Sequence, residues 1–251
     1  MGWFQINLQI EEEQQMKLME KILSQENLEM AIRKVKQNKG APGIDRMTVQ
    51  EIEYWFEKYQ DELITKIMNK QYRPMPVKRV YIPKPNGKQR PLGIPTVIDR
   101  VIQQAIAQVL STIYEPIFSE HSFGFRPRRS AHMAMEEVLY YLNEGYEWIV
   151  DLDIEKFFDT VNHDKLISIL REHVNDAATL HLIRAYLRAG VLEDGLIRST
   201  TVGTPQGGPI SVVLSNIYLD KFDKELESRG LRFVRYADDC APRTLDTSGA
   251  V

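Results

Sequence analysis

The run Leu231-Arg232-Phe233-Val234-Arg235-Tyr236-Ala237-Asp238-Asp239-Cys240 carries strand-forming residues up to two adjacent carboxylates. Unpaired Asp side chains side by side repel, and each is best placed in water or on a cation, so the pair suits a hard divalent ion. Adjacent acids also sit at ordinary solvated hairpin tips. A third carboxylate at the end of another strand would favour the metal. Trp148-Ile149-Val150-Asp151-Leu152-Asp153 offers one, because strand alternation puts Asp151 and Asp153 on one face, opposite Val150, Leu152 and Ile154.

The elements that must position these acids follow from apolar spacing. Residues 1–20 read as a partly helical lead-in. From Leu28, the positions Ala31, Ile32 and Val35 form one helical stripe, with Gly40 as its carboxyl-terminal cap. Thr48 and Glu51 form a capping box that opens a helix carrying Ile52, Trp55, Phe56, Tyr59 and Leu63 inward. Residues 77–95 predict two strands joined at Asn86-Gly87. Thr96 and Asp99 cap a core helix with Ile98, Val101, Ile102, Ala105, Ile106, Val109 and Ile113 on a wide apolar stripe. A helix from Ala131 to about Asn143 is expected to turn Met135, Val138, Leu139 and Leu142 inward. A further helix is capped near Asn162, with His163 as a capping or packing residue, and Pro209 fits the first turn of another. Ser122-Phe123-Gly124-Phe125-Arg126-Pro127-Arg128-Arg129 interleaves aromatics with arginines, which suits base stacking and phosphate contact. Arg126 serves equally well as an internal ion-pair partner.

Composition sets outer limits. The 251 residues, 43% of them hydrophobic, can bury a substantial core. The net charge of −3 conceals segregation: residues 70–130 carry +8, against −3 before them and −8 after them. A basic segment beside an acidic one fits a protein that grips phosphates with one part and collects cations with another. Cys240 is the single cysteine, which excludes a disulfide framework and a cysteine-rich zinc site. No membrane-spanning run or signal peptide is legible, and the expected compartment is the cytoplasm. The glycine-rich turn at 203–208 lacks the GKS/T ending of a nucleoside triphosphatase loop.

Asp153 with Phe158 five residues on, then Gly203-Thr204-Pro205-Gln206-Gly207-Gly208-Pro209, then Tyr236-Ala237-Asp238-Asp239, resembles the palm of a reverse transcriptase. Phe157-Phe158-Asp159-Thr160-Val161-Asn162-His163 and Ser122-Phe123-Gly124-Phe125-Arg126-Pro127 make the chain most similar to bacterial group II intron-encoded reverse transcriptase/maturases, over about residues 20–240. The resemblance implies an α+β right-hand polymerase with fingers and a partial palm, the thumb and maturase domain being absent. Its divisions would be a lead-in at 1–20, fingers at 21–145, partial palm at 146–241 and a divergent tail at 242–251. Implied catalytic and metal residues are Asp153, Asp238 and the weaker Asp239, with the Ile154 carbonyl as a further ligand of two Mg²⁺ ions, for which Mn²⁺ can substitute. Lys84 and Arg90 would hold the incoming triphosphate, Phe158 would exclude a 2′-hydroxyl, and Gln206 would bond the nucleotide. Arg126, Arg128, Arg129, Lys78 and Arg79 are RNA-binding candidates, although a solvated hairpin edge accounts for Lys78 and Arg79 as well.

Expected partners are an RNA template, a DNA or RNA primer, deoxynucleoside triphosphates and intron RNA, with no membrane and no small-molecule cofactor. After Asp239 the sequence departs from the family pattern. Pro242 stands where a ladder donor is wanted, so the returning strand is expected to be poorly supported and the copy truncated. The alternative function is an inactive remnant that only binds RNA. A phosphate-metabolising metal enzyme does not account for the hairpin at 77–95 or the Gln206 loop.

Overall fold

A computed structural model describes residues 18–83, 87, 89–146, 148–150, 152–154, 157–198, 200, 202–203 and 207–244, with the side chains of 148, 149, 153 and 242–244 excluded. Lys84, Asp151 and Gln206, together with most of the lead-in and the tail beyond 244, lie outside the described residues. The chain divides into two compact units, residues 1–111 with 158–211 and residues 112–157 with 212–251.

In the first unit α1 (Gln25–Gln37) is opened by Ser24, whose side chain accepts from the Asn27 N–H. Leu28, Ala31 and Val35 form its buried stripe. The cap expected at Gly40 is displaced: Asn38 ends the helix and Lys39 takes the left-handed conformation. Gly40 is instead a point of close approach, because a Cβ there would collide with the Arg100 guanidinium. The capping box forms, with the Thr48 N–H donating to Glu51 Oε2 at 2.8 Å before α2 (Ile52–Met68). Ile52, Phe56, Leu63 and Ile67 are its buried face, whereas the predicted inward residue Tyr59 is exposed and tilts against the half-buried Trp55. An aromatic at the edge of an apolar stripe can lie along the surface while keeping its hydroxyl in water.

Strands β1 (Val77–Pro83) and β2 (Gln89–Ile94) pair antiparallel from Lys78↔Ile94 to Pro83↔Gln89. Helix α3 (Val97–Tyr114) follows, with Val97, Val101, Ile102, Ala105, Ile106 and Leu110 all buried. Its first turn also anchors the approach to β1. The buried Asp99 carboxylate accepts from Thr96 Oγ1 at 2.7 Å, the Tyr72 hydroxyl at 2.7 Å and the Met75 N–H at 3.1 Å. The short α5 (Phe157–Thr160) spans the unit boundary, and α6 (His163–Arg171) and α7 (Ala177–Leu187) come next. A tight hairpin then joins β5 (Val191–Glu193) to β6 (Leu196–Arg198). The positive φ of Asp194 (52°) and Gly195 (79°) is what a two-residue I′ loop requires. The sheet order is β2-β1-β5-β6, with β1 and β5 parallel.

The second unit contains α4 (Ala131–Asn143), β3 (Trp148–Ile149), β4 (Leu152–Asp153), most of α8 (Pro209–Ser228), β7 (Arg232–Tyr236) and β8 (Asp239–Thr244). Helix α4 has the predicted span but presents another face. Ala134 and Tyr141 are buried and Val138 packs with them, while Met135, Leu139 and Leu142 are exposed. The small Ala134 lets this stripe close onto Phe123 and Val234, and the Tyr141 hydroxyl reaches His121 Nδ1 at 3.0 Å. Two apolar stripes compete on this helix, and the one with complementary partners wins.

The returning strand, expected to be poorly supported, forms as β8 and lies between β7 on one side and β3 with β4 on the other. Pro242 is accommodated by ladder phase. Tyr236 and Asp239 close the β7–β8 hairpin, so alternation makes Phe233 and Pro242 a non-hydrogen-bonded pair and needs no donor from Pro242 toward β7. The missing donor falls on the other side, where the ladder is interrupted between Ile149↔Arg243 and Leu152↔Cys240 while both pieces keep one register. No described helix is long and apolar enough to cross a membrane.

Candidate active site

The β7–β8 hairpin has a two-residue loop, Ala237-Asp238, closed by Tyr236↔Asp239. Ala237 takes φ 61°, the left-handed value that the first position of a II′ loop demands. For alanine this costs about 1–2 kcal/mol, so the surroundings must hold the turn in place. On the other side of β8, Asp153 pairs with Asp239. The three acids are thereby gathered by backbone register at one end of one sheet. Asp238 is half-buried, Asp239 is exposed, and the side chain of Asp153 is outside the described set. Among the described side chains no group of three His, Cys, Asp or Glu forms a metal site. Backbone register brings residue 153 opposite Asp239 at this same end of the sheet.

Beneath the turn lies a buried polar network. Arg235 is 1% exposed and Asp223, from α8, is 0%. Arg235 Nε donates to Asp223 Oδ1 and Nη2 to Asp223 Oδ2, both at 2.7 Å. Nη2 also donates to Ser122 Oγ at 2.7 Å, and Nη1 to Asn216 Oδ1 at 3.0 Å and to the Ala237 carbonyl at 2.7 Å. Asn216 Nδ2 donates to the Gly124 carbonyl at 2.9 Å. Gly124 lies so close under the turn that a Cβ would collide with the Ala237 backbone nitrogen. Burial pushes the Asp223 carboxyl up while the guanidinium bonds pull it down. Burial also pushes the Cys240 thiol up to about 12.

The other predicted residues are placed as follows. Arg126 is buried and committed through all its nitrogens. Nη2 donates to Glu115 Oε1 at 2.9 Å, Nε is 3.2 Å from both oxygens of that carboxylate, and Nη1 reaches the Ser119 and Ser122 carbonyls at 2.5 and 2.8 Å. Arg129 pairs with Glu120 and lies over the Phe123 ring at 5.4 Å. Arg128 is exposed with φ 61°, and its exposed neighbour Phe125 has φ 59°. Ile154 is 37% exposed, and its carbonyl accepts the Phe157 N–H at 3.2 Å.

In the first unit, Lys78 and Arg90 are exposed on the β1–β2 hairpin, and half-buried Arg79 is 4.0 Å from Glu193. Phe158 is buried. Gly203 approaches the Phe158 and Asp159 carbonyls too closely for a side chain, and its own carbonyl bonds His163 Nε2 at 2.6 Å. Gly207 and Gly208 similarly admit the Gly93 carbonyl and the Gln103 side chain.

Sequence reasoning missed Asp223, Asn216 and Ser122, and gave Arg235 no role. A signal existed. Arg235 interrupts a strand whose neighbours Phe233 and Val234 are buried, and a fully buried cation needs a partner. Asn216 and Asp223 stand two helical turns apart among apolar residues of α8, on the face that can supply it.

The family model for reverse transcriptase (RNA-dependent DNA polymerase) matches residues 82–242, which include the α3–α5 stretch, α8 and the acidic hairpin. The chain belongs to the reverse transcriptase family. Members of this family generally depend on a divalent metal. Protein YkfC of Escherichia coli is 38% identical over 221 residues, covering 86% of this chain and 58% of the relative. The group II intron-encoded protein LtrA of Lactococcus lactis is 41% identical over 182 residues, covering 70% of this chain and 30% of the relative. The chain thus spans between about a third and three-fifths of these relatives. Among solved structures, a partial Cas6-RT-Cas1–Cas2 complex matches 91% of this chain and 38% of its own with a TM-score of 0.57. At 24% identity that likeness concerns the fold, an α+β fingers-and-palm arrangement.

Proposed function

We propose that the chain performs RNA-directed DNA synthesis as the fingers (21–145) and partial palm (146–241) of a group II intron-encoded reverse transcriptase, with intron RNA as a further partner. The observation that carries this reading is the register of β4, β8 and β7, which gathers Asp153, Asp238 and Asp239 in a reverse transcriptase chain. Its substrates are an RNA template, a DNA or RNA primer and deoxynucleoside triphosphates, and it acts in the cytoplasm.

Asp153 and Asp238 would hold two Mg²⁺ ions, or Mn²⁺ in their place, with Asp239 nearby. The Ile154 carbonyl would add a ligand through the lone pair that Phe157 does not use. When bound, the ions would activate the primer 3′-hydroxyl for attack on the α-phosphorus and offset the charge of the departing pyrophosphate. Lys84 and Arg90 grip the triphosphate, Arg as a fork and Lys as a movable point charge. Phe158 excludes the 2′-hydroxyl, and Gln206 bonds the nucleotide from a loop whose glycines allow close backbone approach. Lys78 and Arg128, both exposed, take phosphates of the RNA.

Asp238→Asn tests the reading. It should lower metal-dependent nucleotide addition by roughly 10³-fold or more, the value of several kcal/mol of lost charge stabilisation, with an unchanged circular dichroism spectrum. Wild-type rates from the folded variant would overturn it.

A further inference from the structure

We propose that Arg235, fixed by Asp223, is the positioning residue of the catalytic turn, which sets the peptide plane between Ala237 and Asp238 and so aims the Asp238 carboxylate. The proposal rests on the polymerase reading above and adds a residue that touches neither substrate nor metal. Its geometric basis is the fan of bonds from one guanidinium. Two go to the Asp223 carboxylate, one to Ser122 Oγ, one to Asn216 Oδ1 and one, at 2.7 Å, to the Ala237 carbonyl itself.

That last carbonyl belongs to the peptide that leads into Asp238, and its residue is held in the left-handed conformation. A bond to it therefore acts on the direction in which Asp238 leaves the chain. The same guanidinium reaches three separate elements. Asp223 and Asn216 lie on α8, Ser122 lies on the loop that presents Gly124 to the underside of the turn, and Ala237 is the turn. The segment 121–124 is stitched to β7 as well: the Arg235 N–H donates to the His121 carbonyl at 2.9 Å and the Phe123 N–H to the Arg235 carbonyl at 2.8 Å. Asn216 closes the circuit through the Gly124 carbonyl.

The charge arrangement fits a support role. Asp223 neutralises Arg235 within the core, so the guanidinium offers the turn a directed donor. Lysine cannot replace it, because one ammonium lacks the planar fork needed to serve Asp223, Ser122, Asn216 and Ala237 together.

The test uses the full chain and the variants Arg235→Lys, Asp238→Asn and Arg235→Lys with Ala237→Gly, in single-nucleotide extension and in Mn²⁺ binding followed by electron paramagnetic resonance. Arg235→Lys should lower kcat by about 10- to 100-fold, the range for a lost charge-assisted hydrogen bond and a misplaced reacting group, with KM for the nucleotide unchanged. It should weaken Mn²⁺ binding by about tenfold in protein that remains folded by circular dichroism. Adding Ala237→Gly, which removes the left-handed strain, should recover part of both losses. If folded Arg235→Lys has wild-type kcat and Mn²⁺ affinity, and only its melting temperature falls, Arg235 is structural and the proposal is overturned. If the wild type neither extends a primer nor binds Mn²⁺ better than Asp238→Asn, the polymerase reading fails and takes this proposal with it.

Discussion

Gly124 states the demand of the site in a single residue. Its missing side chain is the space occupied by the Ala237 backbone, so Gly124→Ala must displace the Ala237-Asp238 turn. Overpacking of this kind costs about 1–3 kcal/mol, measurable as a lower guanidinium midpoint, and nucleotide addition should fall further than the loss of folded protein accounts for. A variant with wild-type midpoint and rate would mean that the turn does not rest on residue 124. Cys240 offers a second residue-scale check. The thiol is 3% exposed and burial pushes it up to about 12, so alkylation by iodoacetamide near neutral pH should be far slower in the native chain than in denaturant. Equal rates in the two conditions would show that β8 is not seated. At this scale the strand that delivers the adjacent acids to a turn was legible from the apolar and β-branched run before them. The residues beneath them were not, because Asp223 and Asn216 become meaningful only when α8 is laid beside Arg235.

Among the elements, local chemistry was legible and pairing across the chain was not. The Thr48/Glu51 box, the pairing of β1 with β2 and the Pro209 helix start each depend on neighbours in sequence and stand as expected. The parallel junction of β1 with β5 joins Val77 to Val191, which no local pattern announces. Pro242 misled because a proline in a central strand is normally excluded, whereas the ladder here breaks opposite it. Helix α4 misled because spacing cannot choose between its two apolar stripes. The choice can be measured by urea denaturation: Leu139→Gln should change stability by no more than about 0.5 kcal/mol, and Tyr141→Ala should cost about 3 kcal/mol. The reverse ranking would restore the face that spacing favoured.

Over the whole molecule, the proposed RNA partner accords with the segregation of charge, +8 being concentrated in residues 70–130 of a chain whose net charge is −3. Not all of that charge is available. Arg126 and Arg129 are spent on Glu115 and Glu120, while Lys78 and Arg128 stand exposed. RNA affinity should therefore fall steeply with salt, and Lys78→Ala with Arg128→Ala should reduce the slope of log K against log salt by about 1–2. Arg126→Ala should instead destabilise the chain by about 2–4 kcal/mol, since it takes the donor from the buried Ser119 and Ser122 carbonyls as well as the partner from Glu115. The proposed activity is template-directed addition of deoxynucleotides. The most direct measurement is single-nucleotide extension of a primer on an RNA template with Mg²⁺, each deoxynucleotide supplied separately and a chelator control alongside. Only the nucleotide complementary to the template base should be added, and none with the chelator. A soluble, folded chain that adds no nucleotide, or adds all four alike, would contradict the proposed activity.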